Sequence, residues 1–354
     1  MSEAARRVLL EAIAARVFPA AAVDVGAGGG AIWAEALGTL TFDEGAEATS
    51  GSTPFDLASL TKVIATTSAV MQLVSEDRVR LDEPVAALVP EWRGADREVV
   101  TVHDLLEHAS GLSARLVDSP PGGRREFEHD ICAMPLEYPP RTRSIYSDLG
   151  FILLGFLVAD RGGASLAAQV DRITARVPVP SAGDLFTFSL SPDARRRAAP
   201  TRPEPGDPRR GRLLAGEVHD DYAAALGGVA GHAGLFGTAA AVGAFARVVL
   251  RGARGDATVN PPFSPALVRL ATTKTSVPGS SRALGWDTML PTSSCGTRMS
   301  RLAFGHVGFT GTSLWIDPER DRYVVLLTNR ACGGGTLDEM RAVRRAFHDA
   351  LSDL

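Results

Sequence analysis

Residues 54–73 read PFDLASLTKVIATTSAVMQL. Ser59 and Lys62 stand three apart at the head of a largely apolar run. On a helix, that spacing sets two side chains on one face. A hydroxyl and an amine then share one small volume, where burial lowers the pKa of an amine until it serves as a base. The pattern predicts a helix from here to about Glu76, with Asp56 or Ser59 as its N-terminal cap. Positive charge elsewhere comes almost wholly from arginine, since Lys62 and Lys274 are the only lysines. A guanidinium stays protonated, so a lysine entering an apolar helix is the residue type suited to proton transfer. Ordinary capping beside a solvated amine is the plain alternative.

Outward from this stretch, SEAARRVLLEAIAARVF reads as an amphipathic helix at the N-terminal end. AAAVDVGAGGGAIWAEALGTLTF follows as two apolar segments around Gly26–Gly30, the pattern of a hairpin. The glycine run lacks both the Lys-Ser/Thr of a phosphate loop and a strand-to-helix setting, so a tight turn is expected. TVHDLLEHASGL carries a short helical face with His103 and His108, whose spacing finds no matching carboxylate or cysteine for a metal. Residues 118–145 read as a surface excursion rich in Pro, Gly and Arg. IYSDLGFILLGFLVADRGG reads as a loop with Tyr146, Ser147 and Asp148 ahead of a buried helix. Residues 178–216 read as ordered loop around a pocket. A helix is expected from about Ala239 to Leu250. RLAFGHVGFTGTSLWIDPERDRYVVLLTNRA then holds three strand-like runs, near Ala303, Leu314 and Val325, with a closing helix from Leu337.

Hairpin and helix at both ends with a helical middle predict an α/β (α+β) fold. Residues 1–77 and 271–354 would form one domain with a mainly antiparallel sheet flanked by helices. Residues 78–270 would be a mostly helical insertion, with the active site at the junction.

The 354 residues carry a net charge of -4, and short clusters such as Arg195–Arg197 make no basic block, which argues against a nucleic-acid partner. Cys132, Cys295 and Cys332 are too scattered for a metal cluster or a disulfide framework. No cofactor or metal is implied. Glu11 and Arg16 interrupt any signal-peptide core, and no run has the length and apolarity of a membrane span. A cytoplasmic protein with no membrane attachment is expected.

Three pieces in order carry a family resemblance: Ser59-Leu60-Thr61-Lys62, Tyr146-Ser147-Asp148 and His306-Val307-Gly308. Together with HDLLEHASGL and FGHVGFTGTSLWIDPERDRYVVLLTNR, they resemble the serine beta-lactamase and penicillin-binding-protein superfamily. The similarity is to the branch of class C beta-lactamases, D-amino-acid-specific peptidases and related esterases, and it spans about Phe18 to Phe347. The resemblance implies a beta-lactamase/transpeptidase-like fold. It implies Ser59 as the acylated nucleophile, with Lys62 and Tyr146 handling its proton. The amides of Ser59 and Phe309 would form an oxyanion hole, and Gly308 would let the strand approach the substrate. His306 would orient a substrate carboxylate or support the tyrosine and lysine. GEVHDDYAAALGGVAGHAGLF resembles cell-wall-associated members of the branch, with His232 in a pocket wall or merely in a glycine-rich connection.

Asp148 departs from the family's Tyr-x-Asn pattern. A carboxylate only accepts hydrogen bonds, and near Lys62 it favours the ammonium form. It also disfavours acidic substrates. The expected function is therefore a serine hydrolase acting on a small ester, amide or peptide-like substrate, as an esterase or D-amino-acid-type peptidase. True beta-lactamase or acyltransferase activity and a non-catalytic penicillin-binding-like protein are the alternatives.

Overall fold

The computed structural model describes residues 2–116 and 120–351. Strands β1 (Ala20–Ala27) and β2 (Gly30–Gly38) form the expected hairpin, antiparallel from Ala20 opposite Gly38 to Ala27 opposite Gly30. Small strands β3 (Phe55–Asp56), β4 (Phe186–Thr187) and β5 (Phe236–Gly237) make a separate sheet in the order β3-β5-β4. Near the C-terminus run β6 (Asp287–Thr288), β7 (Phe304–Val307), β8 (Ser313–Asp317) and β9 (Arg322–Thr328). The main sheet has the order β2-β1-β9-β8-β7-β6 with antiparallel pairing throughout. Both ends of the chain thus build one sheet.

The period-two rule explains why β1 and β9 are largely apolar at alternate positions on both faces, with Asp24 the buried exception in β1: both faces of the sheet are covered. Ala21, Val23, Val25, Val324 and Leu326 join the core under the helices Glu3–Ala14 and Leu337–Asp349. Ala20, Ala22, Tyr323, Val325 and Leu327 face the other way, into the larger core. The helix Ala239–Ala253 packs there, against β1, β8 and β9. It lies within the stretch 78–270 expected as a helical insertion, yet it covers the sheet, and its apolar contacts belong to a core continuous with that of the helices Ser68–Ser75 and Asp148–Gly162. Among the described residues no single helix is long and apolar enough to cross a membrane.

The excursion 118–145 contains the helix Arg124–Ala133, while residues 118 and 119 lie outside the described residues. The helix expected after Ser59 begins with a wide π-helical segment, Lys62–Thr67, and continues as Ser68–Ser75, capped at Glu76. Hydroxyls accommodate the wider turn: Ser68 Oγ returns to the Val63 carbonyl at 3.1 Å and Thr66 Oγ1 donates to the Gly231 carbonyl at 2.6 Å. Asp56 does not cap this helix. It sits in β3, and its carboxylate accepts from the amides of Ala58 (2.9 Å) and His219 (2.6 Å).

Candidate active site

Ser59 follows a residue in the left-handed region, Ala58 at φ 47°. Asp56 fixes the Ala58 amide, and the Ala58 carbonyl accepts from Thr61 N–H at 3.0 Å. A trans peptide points its N–H opposite its C=O. The Ser59 amide, which has no partner among the described residues, is thus turned away from the helix. Lys62 rises from the next turn, fully buried, and its Nζ donates to Ser59 Oγ at 3.1 Å. The three-residue spacing delivers the contact the sequence suggests.

Lys62 Nζ also donates to Asp148 Oδ1 at 2.7 Å and to the His232 carbonyl at 3.2 Å. Burial alone would depress the ammonium, but Asp148, aided by Tyr146, outweighs it and raises the Lys62 pKa above its usual value. Burial lowering the amine to a free base, the simplest expectation from the sequence, is therefore corrected by the residue that departs from the family pattern. Asp148 opens the helix Asp148–Gly162 behind the cap Ser147, whose Oγ donates to Ser113 O at 2.6 Å.

Tyr146 lies beside Lys62, with Nζ 4.7 Å from the ring centroid. Two imidazoles flank it, His108 at 4.7 Å and His306 at 5.8 Å between ring centroids. His108 Nδ1 accepts from Ser147 N–H at 3.0 Å, and His306 Nδ1 donates to the Val307 carbonyl at 2.9 Å. Burial, then the charges of Arg282 and Lys62, push both imidazoles well below the usual histidine range, so both are neutral. His306 is absent from the cavity wall. Its place is behind Tyr146, and a charged His306 facing a substrate carboxylate does not fit it.

The loop Gly308–Thr312 joins β7 to β8 and closes on Ser59 from the sheet side. Thr310 Oγ1 donates to the Asp56 carbonyl at 2.8 Å and Thr312 Oγ1 to the Leu57 carbonyl at 3.0 Å. A Cβ on Gly308 would fall 2.1 Å from Thr312 Oγ1 and 2.8 Å from the Leu57 carbonyl, so this approach requires glycine. The amide of Phe309, like that of Ser59, has no partner among the described residues.

Between these pieces lies a cavity of about 660 Å³, whose lining includes Ser59, Tyr146, Asp148, His232 and Phe309. His232 is in the wall. Its neighbour Gly231 meets the helix Asp148–Gly162 so closely that a Cβ would sit 1.9 Å from the Phe151 carbonyl. The expected loop 178–216 supplies Glu204, Gly206 and Asp207 to the lining.

Sequence reasoning passed over Arg115. Its Nη1 bonds Asp148 at 3.3 Å and Asp220 at 3.0 Å, its Nη2 bonds Asp221, and the guanidinium lies 3.9 Å from the Tyr222 ring centroid. Asp220 in turn bonds His232 Nε2 at 2.7 Å. Although burial opposes ionisation, His232 and Arg115 hold the Asp220 carboxyl well below the usual range. Asp148, Asp220 and His232 offer donor atoms within 4.8 Å of one another, but Arg115 already bonds both carboxylates, so the cluster reads as a charge network.

A serine hydroxyl on a buried amine, a phenol and two amides without partners among the described residues, set beside a six-stranded antiparallel sheet with helices on both faces, fit one class of protein, the beta-lactamase-like serine hydrolases. The chain belongs to the Beta-lactamase family, whose model matches residues 5–348. It is 31% identical over 326 residues to a protein of Escherichia coli K12 described as "Putative D-alanyl-D-alanine carboxypeptidase", covering 83% of this chain and 72% of that one. Two solved structures share the fold at TM-score 0.77 and 20% identity. One is EstCE1, described as a hydrolase with promiscuous acyltransferase activity, covering 99% of this chain and 98% of that one. The other is a class C beta lactamase from Rhodobacter sphaeroides, with 99% of each chain covered.

Proposed function

We propose that this protein is an esterase or D-amino-acid-type amide hydrolase that forms an acyl-enzyme on Ser59. The observation that carries the reading is the 3.1 Å contact of Lys62 Nζ with Ser59 Oγ on the wall of the cavity. Ser59 Oγ attacks a carbonyl carbon, and the developing oxyanion takes the amides of Ser59 and Phe309. Such donors each contribute ~3 kcal/mol to catalysis. The Ser59 proton passes to Lys62, which must first release a proton. Asp148 at 2.7 Å is the acceptor in contact, so lysine and carboxylate act as one proton-sharing pair whose titration belongs to both. Tyr146, above Lys62, delivers a proton to the leaving group and helps activate the deacylating water.

Charge on the wall narrows the substrate. Asp148, Glu204, Asp207, Asp220 and Asp221 line the cavity against Arg115, the one guanidinium among the described lining residues, and three carboxylates already occupy it. A neutral or cationic small ester, amide or peptide fits this wall better than a carboxylate-bearing beta-lactam. The cytoplasmic setting expected from the sequence suits fragments and small metabolites. The Lys62–Asp148 ion pair also favours a second reading, a ligand-binding protein that does not acylate.

Treatment with a fluorophosphonate followed by peptide mapping tests the proposal. An adduct on Ser59 is expected, with faster turnover of uncharged and ammonium-bearing esters than of anionic ones. Folded protein that leaves Ser59 unlabelled while binding ligands saturably supports the second reading instead.

A further inference from the structure

Two buried guanidiniums stand behind the sheet-side wall. Arg344, on the helix Leu337–Asp349, is 6% exposed and Arg330 is 7% exposed. Neither joins an ion pair among the described residues. A buried charge without a counter-charge is costly, and here the bonds each makes are to backbone carbonyls. Arg344 stands in the apolar stripe of its helix with Met340 and Phe347, a stripe that Leu351 continues just past the helix end. Burial, then the charge of Arg330, pushes its guanidinium down to about 9, which leaves it charged at neutral pH.

The contacts are specific. Arg344 Nη2 donates to the Gly308 carbonyl at 2.8 Å and to the Thr312 carbonyl at 2.9 Å. Gly308 C=O and Phe309 N–H belong to one trans peptide unit and point in opposite directions. A cation on that carbonyl turns the N–H toward the cavity and draws electron density from it. Arg330 braces the next peptide: its Nε and Nη2 donate to the Phe309 carbonyl at 3.1 and 2.7 Å, and its guanidinium lies 4.6 Å from the Phe309 ring centroid.

We propose that Arg344 is a positioning residue for acyl transfer, polarising the Gly308–Phe309 peptide so that the Phe309 amide is aimed at the oxyanion. The inference rests on the reading of Ser59 as nucleophile. In the step it serves, Ser59 Oγ bonds the substrate carbonyl carbon and the carbonyl π pair moves onto oxygen. The Ser59 proton passes to the Lys62–Asp148 pair. When the oxyanion collapses, the leaving group departs and takes a proton. Arg344 exchanges no atoms. It stabilises the charge through a peptide group that is already oriented before reaction.

The test compares Arg344→Lys, Arg344→Gln and Arg344→Met with the parent protein, using a p-nitrophenyl ester and a boronic acid that forms a tetrahedral adduct on serine. In the Gln and Met variants, kcat should fall by roughly 10- to 100-fold with KM held within about twofold, and boronate affinity should fall in step. Lys should recover much of the loss. The Phe309 amide proton resonance should move upfield in Gln and Met and stay near its parent value in Lys. Melting curves identify folded variants, and if Met does not fold, the Gln and Lys pair decides. A folded Gln variant with unchanged kcat overturns the proposal, as does a rise in KM with boronate affinity intact. Activity in Ser59→Ala overturns the hydrolase reading itself. Inactive Ser59→Ala beside fully active Arg344→Gln overturns only the role given to Arg344.

Discussion

The two walls of the cavity are built on opposite principles. On the sheet side, Gly308–Thr312 is tied by Thr310 and Thr312 to the backbone leading into Ser59, and buried cations without an ion pair among the described residues stand behind it. On the helical side, Asp148 at the start of one helix and Asp220 and Asp221 at the start of another, Asp221–Ala225, converge on one arginine. One wall offers fixed positive potential where an oxyanion would form. The other offers carboxylates where the proposed proton transfer and substrate entry would take place. A rigid wall with few alternatives should govern kcat, whereas a wall of titrating groups should govern pH dependence and choice of substrate.

Ser59→Ala removes the atom on which both walls act, and kcat/KM for a chromogenic ester should fall by about 10⁴-fold or more. Gly308→Ala attacks the sheet side alone. With so little room for a Cβ, the loop must shift, and activity should drop by roughly 100-fold while overpacking costs about 1–3 kcal/mol, read by the same assay and by denaturant melts. If Gly308→Ala alters only KM, the division between the walls is lost. Asp148→Asn attacks the other side. Asp148 raises the Lys62 pKa, and in the proposed mechanism the free amine is the form that accepts the Ser59 proton. Removing the carboxylate lowers that pKa, so the acidic limb of the kcat/KM profile should move to lower pH by about 1–3 units. A limb that stays in place would show that Lys62 does not titrate in the rate. The smallest effect should come from Glu204→Gln. Glu204 is well exposed, so solvent and salt screen it, and KM for an ammonium-bearing ester should rise by less than about threefold at low salt.

What the sequence revealed follows the same division. Ser59 and Lys62 were legible because helical spacing is local, and β7, β8 and β9 because their apolar runs are framed by turns. The two-residue strands β3, β4, β5 and β6 carry no periodicity to read. The place of the helix Ala239–Ala253 on the sheet depends on packing between distant segments. Arg115 was hidden for the same reason, since Asp220 and Asp221 lie 105 and 106 residues away. Asp148 was visible as a departure, but the winner between burial and its charge at Lys62 required the 2.7 Å contact. Arg344 did leave a signal: the phase of Met340, Phe347 and Leu351 puts it on the buried face, whereas Arg341 and Arg345 fall outside the core.

The scarcity of lysine has a practical consequence. Of the two side-chain amines, Lys274 is exposed and Lys62 is fully enclosed. An amine-directed acylating reagent should therefore mark Lys274 at once and reach Lys62 only when the segment Lys62–Thr67 opens. The labelling rate at Lys62 would time the breathing of this helix in native protein, with Lys274 as an internal clock for the reagent.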